Sequence, residues 1–278
     1  MLAKAAEVGA DELVVDLEDA VAPAAKDEAR SLVARTLASE AWHGLQASVR
    51  VNAPGTPWCH ADLVSLVSAP APPAAVVVPK VESAGDLAFV ERLLTGVERA
   101  AGHARPVRVQ ALIETAAGLS RVGEIAAASE RVDALILGYA DLAASLGRSG
   151  AGADDLDGWR PAQEAVLVAA RANGLQAIDG PHLGVAPDAR FRAAATRARD
   201  AGFDGKWAIH PSQVAALNEL FTPSEAELEH AQAVIAALDE AERDGGRGAV
   251  ALDGQMLDEA IRAAALRTLS RAPATRGG

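Results

Sequence analysis

The chain has 278 residues, half of them hydrophobic, with 26 basic and 38 acidic side chains and a formal net charge of −12. That length accommodates one domain as large as a (β/α)8 barrel, while an acidic balance with no basic tract argues against a nucleic-acid partner. The single cysteine, Cys59, excludes an internal disulfide framework and any multi-cysteine metal site; with no apolar run of transmembrane length and no signal-peptide core in MLAKAAEVGADE, the expected setting is cytoplasmic, without a membrane partner.

Seven short aliphatic runs follow in chain order: LVVDLE (13–18), ASVRVN (47–52), AVVVPK (75–80), VRVQALIE (107–114), ALILG (134–138), QAIDG (176–180) and KWAIHP (206–211). Each is nearly continuously apolar, the pattern of a strand covered on both faces in a parallel sheet. Between them lie Ala-rich segments with charges at helical spacing, such as KDEARSLVARTLAS (26–39) and DARFRAAATRARDAG (188–202). Strands alternating with helices imply βαβ units. Polar residues close every run, as in a barrel whose site is built from the loops after its strands. No glycine-rich phosphate-binding motif follows any strand, which removes the main support for a nucleotide fold.

The count is seven strands rather than eight, and the chain opens inside a segment that reads as a helix. The expected fold is therefore an α/β (β/α)8 TIM barrel lacking its first strand, over 1–221. A C-terminal helical extension, 222–278, is expected to pack on the barrel or on a neighbouring subunit. It comprises SEAELEHAQAVIAALDEAERDG (224–245), with Thr222 or Ser224 as its cap, a Gly-rich break, and LDEAIRAAALRTLSRA.

Among the strand endings, Glu114 and Asp141 follow consecutive strands and so share one rim. Two unpaired carboxylates there would repel and retain a proton, whereas oxygen-only ligation suits Mg²⁺, which takes one or two carboxylates and leaves its other positions to water and substrate. Spacing equally allows each to pair with a local Arg or Lys. Arg50, with Asn52 beside it, can bind a carboxylate or enolate oxygen bidentately, or form a salt bridge to Glu18 or Asp19. Lys80 sits among acids that would raise its pKa, which opposes a Schiff-base role. His210 reads as a structural histidine, and Asp179 and Asp204, beside glycines, as turn or cap residues.

The stretches VVDLEDAV (14–21), VRVN (49–52), VVPKVES (77–83), ALIETAAGL (111–119), LILGYADLAASLG (135–147), GFDGKWAIHPSQV (202–214) and GQMLD (254–258) resemble, in order, the citrate lyase β-subunit-like group of the HpcH/HpaI aldolase family. The resemblance implies a homotrimer or hexamer acting on acyl-CoA thioesters, with Mg²⁺ on Glu114 and Asp141 and Arg50 on the substrate oxygens. Glu18, Asp19 and Lys80 would line the metal site, and Asp258 would reach a neighbouring subunit's site as general acid/base. Backbone amides around Gly138, Tyr139 and Ala140 could complete a carboxylate site. The implied reaction is cleavage of a malyl-, citramalyl- or citryl-CoA-type 3-hydroxyacyl-CoA. Two other readings stay open: a class II pyruvate aldolase acting on free hydroxy-keto acids, and a non-catalytic truncated subunit in a complex, with an acyl carrier protein as one partner.

Overall fold

The computed structural model describes residues 5, 7–148, 158–243, 250–252 and 255–272. The chain divides into two compact units, Met1–Leu217 and Asn218–Gly278, each described here by itself.

The first unit is a parallel seven-stranded sheet: β1 (Leu13–Asp16), β2 (Ala47–Arg50), β3 (Ala75–Val78), β4 (Arg108–Ile113), β5 (Val132–Leu137), β6 (Gln176–Asp179) and β7 (Gly205–Lys206). Each strand pairs only with its neighbours in sequence, the succession of a barrel rather than of a doubly wound sheet, whose strand order reverses. Side chains of Val77, Leu112 and Ile136 form one cluster that Val14, Ile178 and Trp207 also pack against. Strands lie about 4.8 Å apart in a flat sheet, so β1 and β6 can meet one cluster only because the sheet curls. The strands are apolar on both faces because this inner layer and the helices outside cover them; all four residues of β3 are buried.

The helices begin and end where local chemistry directs. Ser83 and Asp86 form a capping box on α3 (Ala84–Ala101), which buries Leu87, Val90 and Leu94 as one stripe and ends at left-handed Gly102. (The preceding helices are α1, Lys26–Leu37, and α2, Cys59–Val67.) Two short helices, α4 (Ala116–Ser120) and α5 (Val122–Ala126), follow β4, and α6 (Tyr139–Ser145) follows β5. Next come α7 (Arg160–Ala172) and α8 (Ala189–Ala201); the latter is capped by Asp188 and closed by left-handed Gly202. After β7 comes α9 (Pro211–Phe221).

The second unit contains α10 (Glu225–Arg243), an antiparallel hairpin of β8 (Val250–Leu252) and β9 (Gln255–Leu257), and α11 (Glu259–Ser270). Ser224 caps α10 by exchanging bonds with Glu227. Ala231, Val234, Leu238, Leu257 and Ala265 form its core, and Arg262 ties α11 to Asp239 and Glu242 of α10. Gly254, the first residue of GQMLD, lies outside the described residues. No described helix is long and apolar enough to cross a membrane.

Candidate active site

The C-terminal ends of β1 to β5 bring the acids and bases of the rim together. Parallel pairing sets Asp16 beside Arg50. Arg50 donates from Nε to Asp16 Oδ1 at 2.8 Å and from Nη2 to Oδ2 at 2.5 Å, a bidentate pair, while its Nη1 lies 3.1 Å from Glu18 Oε2. Burial opposes ionisation of Asp16, but the bonds and charge of Arg50 outweigh it and hold the carboxyl below its usual range. Arg50 is raised in turn, burial again being overcome by Asp16. The salt bridge weighed for Arg50 thus exists, with Asp16 and Glu18 as its acids rather than Asp19.

Lys80 takes a left-handed backbone, φ +51°, unusual for a side-chain-bearing residue. Its amide donates to Glu114 Oε1 at 3.0 Å, while its Nζ donates to Glu18 Oε1 at 2.5 Å. Burial alone would lower the ammonium's pKa, but the bond to Glu18 and the charges of Glu18, Glu114 and Asp141 raise it. Lys80 is therefore a permanent cation, as the surrounding acids suggested. Asp19 stands at the margin, exposed and 3.8 Å from Lys80.

Glu114 is the pivot. It is almost fully buried, and burial together with the charges of Glu18 and Asp141 pushes its pKa up to about 8. It forms no ion pair among the described residues. Glu18 is raised too, chiefly by burial, despite Lys80 and Arg50. Gly138 makes this packing possible: a Cβ there would lie 2.6 Å from both Glu114 Cβ and Oε2.

The expectation of a backbone carboxylate site around Gly138, Tyr139 and Ala140 narrows. The Gly138 amide donates to Ile113 O at 3.0 Å and the Leu142 amide to Gly138 O. That leaves the first-turn amides of Tyr139, Ala140 and Asp141, which a helix does not pair internally. The Tyr139 side chain meets a different acid of the rim, Asp179. It is buried and donates its hydroxyl to Asp179 in a small cavity lined by Trp159, Pro181, His182 and Lys206. Asp179 is thus no turn residue: Lys206 Nζ pairs with it and also donates to Gly180 O at 2.5 Å. Asp204 accepts the Ala177 amide and pairs with Arg171 at 2.8 Å. His210 is exposed and bonded to Ser212. In the second unit Asp258 caps α11, accepting the Ile261 amide at 3.0 Å.

Several residues with no sequence signal hold the site from behind. Buried Lys26 donates to the Leu17 and Glu18 carbonyls at 2.7 and 2.6 Å, anchoring the loop after β1. Buried Asp62 accepts from the Asn52 side chain at 2.6 Å and from Arg30 at 2.7 Å, steadying the end of β2. Asn52 therefore supports the loop rather than facing the rim.

Whether these residues fit a metal follows from the charge they leave unmet. Among the described residues no three His, Cys, Asp or Glu side chains converge into a ready-made cage, but Mg²⁺ needs only one or two carboxylates. Glu114 accepts one amide and faces two acids, Glu18 and Asp141, with no ion pair of its own among the described residues. Arg50 and Lys80 are already committed to Asp16 and Glu18. An all-oxygen donor set short of positive charge fits a hard divalent cation.

Residues 1–211 match the family model for HpcH/HpaI aldolase/citrate lyase. The chain is 38% identical over 271 residues to the L-malyl-CoA/beta-methylmalyl-CoA lyase of Cereibacter sphaeroides, covering 92% of this chain and 85% of that protein. It is 37% identical over 280 residues to the (3S)-malyl-CoA thioesterase of the same species, covering 98% and 90%. Among solved structures, the CitE protein of Mycobacterium tuberculosis in complex with magnesium, acetoacetate and coenzyme A aligns with a TM-score of 0.75 and 34% identity, over 97% of this chain and 92% of that one.

Proposed function

The chain belongs to the HpcH/HpaI aldolase/citrate lyase family, and from that premise we propose that it is a Mg²⁺-dependent carbon–carbon lyase. Its substrate would be a 3-hydroxyacyl-CoA thioester of malyl-, citramalyl- or citryl-CoA type, cleaved to acetyl-CoA or a homologue and a keto acid. The observation that carries the reading is Glu114, a buried carboxylate among acids whose local cations are all committed elsewhere.

Glu114 and Asp141 would hold Mg²⁺, whose Lewis acidity acts on the carboxylate and oxo oxygens of the keto-acid portion. Arg50, held by Asp16 and Glu18, would stabilise the enolate that develops when the C2–C3 bond breaks. Lys80 bonds Glu18 and offsets part of the burial that raises its pKa, and Asp19 closes the margin. First-turn amides at Tyr139 and Ala140 receive the substrate carboxylate. The C3 hydroxyl loses its proton as the bond breaks, and the enolate carbon then takes one up; Asp258 of a neighbouring protomer is the group proposed for this transfer. In its own chain Asp258 is an exposed cap.

The same reading makes the sheet a (β/α)8 barrel without its first strand, supported by the chain-order pairing that leaves β1 and β7 as edges. It makes the segment 222–278 an arm packed on the barrel or on a neighbour. It makes the working form a cytoplasmic homotrimer or hexamer, in which Asp258 reaches an adjoining site; sedimentation of the purified protein tests the assembly.

Purified protein with malyl-CoA and Mg²⁺ should release acetyl-CoA and glyoxylate in equal amounts, and EDTA should stop the release. No EDTA-sensitive cleavage of malyl-, citramalyl- or citryl-type thioesters would sink the proposal. Similarity to a thioesterase favours one second reading, hydrolysis of the same thioester. Free coenzyme A and malate, without acetyl-CoA, would establish that alternative.

A further inference from the structure

We infer that Tyr139 is a positioning residue that sets Asp141 against Glu114, by tying the start of α6 to a buried ion pair between β6 and β7. The inference rests on the reading of Glu114 and Asp141 as the metal pair.

Tyr139 is the only tyrosine of the chain and opens α6, two residues before Asp141. A helix of seven residues has no stability of its own, so where Asp141 stands depends on what holds the ends of α6. At the far end, Ser145 Oγ accepts the Ala116 amide at 2.9 Å. At the near end Gly138 donates to Ile113 O, and Leu142 and Ala143 bury the inner face of the helix. Apolar packing of that kind is non-directional, and Tyr139 adds a directional tether to it.

The tyrosine hydroxyl donates to Asp179, and Gln163 Nε2 donates to the hydroxyl oxygen at 2.8 Å. Asp179 is itself immobile, paired with Lys206 where both side chains are 2% exposed. The ring is gripped as well: Trp159 packs edge-on at 5.2 Å between centroids. Gly180 clears the space, since a Cβ there would lie 1.9 Å from Leu137 O and 2.9 Å from the Tyr139 ring. Asp179 and Gly180 at the end of β6, Lys206 of β7, and Trp159 and Gln163 at the start of α7 thus converge on this one side chain. A buried, fully partnered polar network of this kind specifies geometry more than it adds stability.

The test measures Mg²⁺ affinity by calorimetry, and the melting midpoint in EDTA, for the full chain and for Asp141→Asn, Tyr139→Phe and Gln163→Leu. Asp141→Asn should weaken binding at least 100-fold; unchanged binding there would refute the metal reading itself. Tyr139→Phe should raise the Kd for Mg²⁺ about tenfold, the range in which supporting groups act on a metal site. Gln163→Leu, which leaves the tyrosine in place, should raise it a few-fold. A Tyr139→Phe protein that loses melting temperature but binds Mg²⁺ within twofold of the parent, while Asp141→Asn does not bind, overturns the positioning role alone. Should Tyr139→Phe fail to fold, the Gln163→Leu affinity decides: a rise supports the role and no change overturns it.

Discussion

Two buried carboxylates stand on the same rim with opposite company. Asp179, at the end of β6, is met by the Lys206 ammonium, the Tyr139 hydroxyl and the Gln163 amide. Glu114, at the end of β4, accepts one backbone amide and faces Glu18 and Asp141. Both are buried, yet only Asp179 meets a counter-charge within the chain. A carboxylate with its partners supplied is part of the scaffold; one left short of charge is a binding group awaiting a cation. Position on the rim does not separate them, and the set of donors does.

The contrast can be broken most directly at Glu114. Glu114→Gln keeps the shape and deletes the charge, and should reduce EDTA-sensitive thioester cleavage ~1,000-fold or more. The metal-free variant should nonetheless melt above the parent at pH 7, because it no longer buries an uncompensated acid. A drop in both would place Glu114 with Asp179, as scaffold. Asp179→Asn is the converse case. It leaves Lys206 buried without its counter-charge and should cost roughly 3–5 kcal/mol in denaturant unfolding; a loss under 1 kcal/mol would show that the pair is not needed.

A third effect is a pH dependence of the metal-free protein. Glu114 titrates near 8 when folded and near 4.5 when unfolded, so between those values the folded state holds a proton that the unfolded state does not. Stability is therefore fully present below about pH 4.5 and falls as pH rises towards 8, by roughly 2–3 kcal/mol between pH 5 and 7. Asp133, pushed up to about 6 chiefly by burial, adds a slope of the same sign at lower pH. The difference between the parent and Glu114→Gln isolates the Glu114 share, and parallel curves would refute it. The smallest change is expected of Asp19→Asn. That carboxylate is exposed and 3.8 Å from Lys80, so the unfolding midpoint should move by less than about 1 kcal/mol.

The strands were legible because burial on both faces leaves uninterrupted aliphatic runs, and the rim acids Glu18 and Glu114 because each closes its run. Helix limits were legible where capping chemistry is local, as at Ser224, Asp188 and Gly202. What escaped was set by register and distance. Asp16 lies inside a recognised run, but its hold on Arg50 exists only because β1 and β2 pair at those residues. Lys26 and Asp62 act from helices outside the sheet on backbone and side chains of other elements. Asp179 was misread because a glycine follows it; its partners, Tyr139 and Lys206, lie far away in sequence. Glycine next to aspartate signals a turn, but Gly180 is there to admit a neighbouring carbonyl.

The chain-order sheet also bears on how the molecule is built. Every strand finds its partners among its nearest neighbours in sequence, so no pairing spans the whole chain, although each still crosses a connection long enough to reverse direction, as parallel pairing requires. Glu114 and Asp141 sit after β4 and β5, interior strands that pair over five positions, whereas β7 contributes only two. Hydrogen exchange should find β3 to β5 the last region to open and the two edges the first. The acids that repel one another would then stand on the part of the sheet that opens last, so a cation bound there would keep its ligands while the edges fray.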